Sequence, residues 1–80
     1  MTLTEAIQQR IRELCRERNI TLNHLSMLCG MTQSTVHNIF ARPNNSPTIS
    51  KIKKICDGLD ITLGEFFQTE YFDTLEQELQ

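Results

Sequence analysis

The sequence predicts an all-α protein, a compact bundle of five helices followed by a short tail. Three observations lead there. Apolar residues recur at three- and four-residue intervals along most of the chain, the period of a helix with one buried face. A glycine at position 30 stands between two such stretches, where an abrupt turn needs positive φ. Eighty residues form one domain with a modest core, and a helical bundle closes such a core readily.

The first helix is expected over about 4 to 18, with Leu3, Ile7, Ile11, Leu14 and Cys15 inward and an end near Asn19. Its arginines, Arg10, Arg12, Arg16 and Arg18, read as a mostly solvated face. The second helix spans about 22 to 29, with Leu22, Leu25, Leu28 and Cys29 on one side and the Thr21 hydroxyl capping its start. Ser26 is small enough for a close helix crossing. After Gly30, Met31 fills the turn and Thr32 caps a third helix over about 33 to 40. Val36, Ile39 and Phe40 face inward there, leaving Gln33, Ser34, His37 and Asn38 on the outer face.

Residues 41 to 47, with two prolines, two asparagines and a serine, read as a loop. A fourth helix follows from near Thr48 to Asp57, ended by Gly58, with Ile49, Ile52, Ile55 and Cys56 inward and Lys51, Lys53 and Lys54 outward. Thr62 and Glu65 have capping-box spacing for a fifth helix, flanked by Ile61 and Phe66 as a hydrophobic staple. The chain thus divides into a domain at 1–68 and an acidic, aromatic tail at 69–80. In that tail Tyr71, Phe72, Leu75 and Leu79 keep helical spacing. They either pack back on helices 1 and 5 or pair with a second subunit.

The net charge of −2 conceals a strong segregation. All eight bases precede residue 55, against three acids up to Cys56, which leaves residues 1 to 56 at +5. From Asp57 onward there are seven acids and no base. The first part can face phosphate while the tail points away. Cys15, Cys29 and Cys56 are odd in number, lack CxxC spacing and lie at or beside apolar helical positions, as buried thiols do in a reducing compartment. No metal site or cofactor is expected, and the chain shows no signal peptide or long apolar run, so a cytoplasmic protein is expected. No Ser-His-acid, Cys-His or paired-carboxylate spacing supports a catalytic residue, so an enzyme is not expected.

The ordered set Leu25-Ser26, Gly30, Met31, Val36 and Ile39 resembles the helix-turn-helix of the lambda-repressor-like, Cro-type family of DNA-binding regulators. The likeness continues through Pro47-Thr48-Ile49, Ile52, Ile55, Leu59, Ile61, Thr62, Leu63 and Phe66, and covers roughly residues 5 to 68. Many members carry Gln at the first position of helix 2, where it clamps a phosphate; this chain has Leu22.

The resemblance implies a sequence-specific transcriptional regulator, a repressor, that inserts helix 33–40 into the major groove of a palindromic operator as a homodimer, formed in solution or only on DNA. Gln33, Ser34, His37 and Asn38 are then the base contacts, since amides and short donors match base edges. Gln33-Ser34 is also similar to the start of helix 3 in phage repressors of the family. Phosphate contacts are assigned to Thr21, Thr32 and Thr35, to Arg42, Asn44 and Asn45 of the loop that lies along the DNA backbone in the family, and to Lys51. Two other readings stand beside this one: an antitoxin that grips a toxin through residues 66–80, and a protein-interaction module that has lost DNA binding.

Overall fold

The computed structural model describes residues 1–41 and 46–77, and among these it contains six helices and no strand. They are α1 (Leu3–Glu17), α2 (Leu22–Cys29), α3 (Gln33–Ala41), α4 (Ile49–Leu59), α5 (Leu63–Phe67) and α6 (Glu70–Asp73). Five helices and a tail become six because the tail itself forms a helical turn. Leu79 lies outside the described residues.

Five helix starts share one device, a threonine whose hydroxyl accepts a backbone N–H three residues on, and at α3 it is Thr32. Thr2 serves α1, Thr21 α2, Thr48 α4 and Thr62 α5. At α1 and α5 the glutamate three residues later returns a bond to the threonine N–H, closing the capping boxes Thr2/Glu5 and Thr62/Glu65. The Thr2 N–H holds the Glu5 carboxyl below the usual carboxylate range. α1 therefore begins at Leu3, one residue before the expected start.

Three helices end alike. Asn19, Gly30 and Asp60 take left-handed conformations at φ 55, 67 and 57. The following residue then sends its N–H back to close the last turn: Ile20 to Cys15 O, Met31 to Ser26 O and Ile61 to Cys56 O, each about 3.0 Å. All three of those following residues pack against the core.

The core gathers Ile7, Ile11, Leu14, Leu25, Ile39, Ile52, Ile55 and Phe66 around the crossing of α2 and α4. Gly58, expected to end α4, instead lies inside its last turn. A Cβ there would stand 2.7 Å from Cys29 Sγ and 3.0 Å from the Leu28 carbonyl, so its role is to let α4 approach α2. Asp60 makes the stop.

Three expected core residues are exposed: Leu3 at 37%, Leu28 at 47% and Ile49 at 62%. Leu3 and Ile49 open their helices, one turn short of the buried stripes that begin at Ala6-Ile7 and at Ile52. In α2 the backbone of Leu28 faces Gly58, and the buried stripe narrows to Leu25 and Ser26 with Cys29 at its edge.

The arginine face of α1 is mostly solvated, as expected: Arg12, Arg16 and Arg18 are exposed and Arg10 is half-buried. Arg10 donates from Nε to Phe66 O at 2.6 Å and from Nη2 to Glu65 O at 2.8 Å. Arg18 donates to Leu59 O at 3.2 Å. Each guanidinium gives charged donors to carbonyls at a helix end, which anchors it to the fold there. The tail packs back: Phe72 lies 5.0 Å from Phe67 and 6.3 Å from Phe66 by ring centroid, and the Tyr71 hydroxyl donates to Glu13 on α1 at 3.0 Å.

Candidate nucleic-acid interface

α2 and α3 meet at Gly30, whose left-handed conformation reverses the chain within one residue. Thr32 starts α3, accepting the Thr35 N–H at 3.1 Å, with the two hydroxyls 2.8 Å apart. The buried side of the pair is Leu25, Ser26, Val36 and Ile39, and the Ser26 hydroxyl is satisfied by Asn23 O at 2.6 Å. Helical periodicity then places Gln33, Ser34, His37 and Asn38 outward, and all four are exposed.

The end of α3 is braced from α1. Gln8 Nε2 donates to Ile39 O at 2.8 Å, and the Arg12 guanidinium lies 4.5 Å above the centre of the Phe40 ring. One turn earlier, the Thr4 and Ser46 hydroxyls are 2.7 Å apart. Thr4, Gln8 and Arg12 recur every four residues, so one stripe of α1 holds α3 and the point where the chain re-enters α4. That spacing was available in the sequence, but polar residues at helical intervals do not announce a partner. Asn23 had no sequence signal at all; its Oδ1 lies 3.2 Å from His37 Nε2 and ties the start of α2 to the middle of α3.

The expected phosphate-facing residues divide by position. The Thr21 and Thr32 hydroxyls cap their helices, and Thr21 retains its own hydrogen to donate, whereas the Thr32 and Thr35 hydroxyls share one hydrogen bond and keep one free hydrogen between them. Lys51 is exposed, with only its backbone N–H used, donating to Thr48 Oγ1 at 3.3 Å. Arg42, Asn44 and Asn45 lie outside the described residues.

From Leu22 to Ala41 there is no Asp, Glu, Lys or Arg, and His24 and His37 are the basic side chains. The outer face of α3 is therefore rich in hydrogen-bonding groups, and no carboxylate there would repel phosphate. Beneath it, the three cysteines are free. Burial, reinforced by Cys15 and Cys56, pushes the Cys29 thiol up to about 11, and burial raises Cys15 and Cys56 as well. Thiols so held are neutral at physiological pH and behave as small apolar groups rather than nucleophiles. Among the described residues no set of three His, Cys, Asp or Glu converges as a metal site would require, and no helix is long and apolar enough to cross a membrane.

Comparison with known proteins points the same way as the geometry. The profile of the Cro/C1-type HTH DNA-binding domain matches residues 10–71. The crystal structure of the prophage Lp1 protein 11 superposes with a TM-score of 0.82 at 32% sequence identity, covering 94% of this chain and 99% of that one. No curated protein matches the sequence.

Proposed function

This chain belongs to the Cro/C1-type HTH DNA-binding domain family, and on that footing we propose that it is a sequence-specific transcriptional repressor acting as a two-fold dimer on a palindromic operator. The observation that carries the reading is the division of α3: Val36 and Ile39 are buried while Gln33, Ser34, His37 and Asn38 stand exposed on a face without carboxylates. Such a helix enters a major groove and meets base edges with amides and hydroxyls. Gln33 and Asn38 each present an amide able to pair with adenine N6 and N7, a contact worth about 1 to 3 kcal/mol of discrimination.

Phosphate anchoring falls to Thr21, Thr32 and Thr35 at the helix starts, where open backbone N–H groups add their dipoles, and to Arg42, Asn44, Asn45 and Lys51. One helix reads only a few base pairs, so a second copy about 10 base pairs away supplies the missing information. The antitoxin reading needs the aromatic tail free to grip a partner. Phe72 packs on Phe66 and Phe67, and Tyr71 is bonded to α1, so no observation favours it.

Selection from a pool of random duplexes at moderate salt tests the proposal. A two-fold symmetric motif should be enriched, and repression of a reporter carrying that motif should depend on Gln33. A protein that enriches no motif even at low salt is not a DNA-binding regulator, and the protein-interaction reading would replace this one.

A further inference from the structure

We propose that Asn23 fixes the hydrogen of the His37 ring on Nε2 and so makes His37 a reader of exocyclic amino groups, those of adenine or cytosine; the inference rests on α3 being the base-reading helix. His37 Nε2 and Asn23 Oδ1 are 3.2 Å apart. A carboxamide oxygen only accepts, so the ring nitrogen opposite it must donate. In the neutral imidazole the hydrogen is then on Nε2, and Nδ1 is an acceptor.

That assignment has a consequence for base choice. Guanine N7 and O6 and thymine O4 are acceptors in the major groove, and a bare Nδ1 makes no hydrogen bond with them. Its partners are the amino hydrogens of adenine N6 and cytosine N4. The other tautomer would reverse the preference, donating from Nδ1 to guanine or to a phosphate.

The core does not account for the pair. Both residues are exposed, and their contact spans fourteen positions across the Gly30 turn. Asn23 is the second residue of α2, one step before the His24 N–H that Thr21 caps, so its backbone is set independently of its side chain. Holding the ring in one orientation also reduces the freedom it loses on binding. Asn23 is in this sense a positioning residue, acting on DNA through His37.

The test joins a spectroscopic signature to a binding readout, both on the full chain. Nitrogen-15 spectra of the histidine rings, taken where His37 is neutral, should show a single Nε2–H tautomer. Asn23→Ala should mix the two tautomers, and Asn23→Asp, which keeps an acceptor oxygen in place, should restore the single one. In duplex selection one position should favour adenine or cytosine, and that preference should weaken roughly two- to tenfold in His37→Ala and in Asn23→Ala alike, the span of one hydrogen bond. Preferences read by Gln33 should survive both changes.

Mixed tautomers in the unaltered protein overturn the inference whatever the DNA result. A single tautomer with base preferences indifferent to Asn23→Ala overturns it too. If the unaltered protein shows the single tautomer but enriches no motif, the reading of α3 fails and carries the inference down with it.

Discussion

The polar faces of α1 and α3 both follow from helical period and are used in opposite ways. On α1, Gln8, Arg10 and Arg18 turn their donors to carbonyls at the ends of α3, α5 and α4. On α3, Gln33, Ser34 and Asn38 are exposed, and of the four outer residues it is His37 that is bonded within the fold, to Asn23. One face sends donors into the fold, and the other, His37 apart, stays exposed. Amphipathicity does not distinguish them, because what decides is whether an open helix end lies within reach.

The sharpest way to break this contrast is Arg10→Ala. It removes the donors to the Phe66 and Glu65 carbonyls, the latter keeping the Gln68 N–H, and charged hydrogen bonds of this kind contribute about 2 kcal/mol, so Tm should fall by roughly 10 °C. Calorimetry should show that loss, while the folded fraction binds its operator as before. Gln33→Ala and Asn38→Ala should do the reverse. Each should cost about 1 to 3 kcal/mol in specific affinity, with Tm and binding to random duplex unchanged; equal loss on both kinds of DNA would remove them as base readers.

Gln8→Ala tests the join between the two faces. Freeing Ile39 O should reduce stability by about 1 kcal/mol in denaturant titration. Because α3 loses its brace there, specific affinity should also drop measurably. The smallest effect belongs to Tyr71→Phe, which removes the bond to Glu13 at about 0.5 kcal/mol.

Burial first, and the bond to Glu13 second, raise the Tyr71 phenol above its ordinary value of 10.0. The folded chain keeps that proton longer than the unfolded one, so the contribution is intact below pH 10 and is lost as pH rises past it. Tyr71→Phe should flatten that alkaline decline, as thermal melts across the range would show.

What was legible in the sequence was local. The Thr62/Glu65 box, the Thr21 cap, the left-handed Gly30 and the outward set of α3 all follow from residues within one turn of each other. The Thr2/Glu5 box has the same spacing and was equally available, although the first apolar residues drew the expected start of α1 past it. Gly58 was misread because glycine serves two needs, positive φ and close approach, and only the path of α2 shows which applies. The partners of Arg10 and Arg18 lie 56 and 41 positions away, beyond any periodicity. Of the candidate site, the outer face of α3 could be read from its period, whereas Gln8, Arg12 and Asn23 could not, since their partners are fixed by tertiary packing.

The span of the Arg10 bonds also bears on how the protein is made. α1 leaves the ribosome well before α5, yet one of its anchors is the carbonyl of Phe66, 56 positions further along. Until that residue emerges, α1 lacks a partner for its guanidinium, and α3 is braced by a helix that is itself only partly held. Loops of this length close late in folding. A ribosome stalled before α5 therefore displays α3 beside an α1 that still lacks its anchor at Phe66.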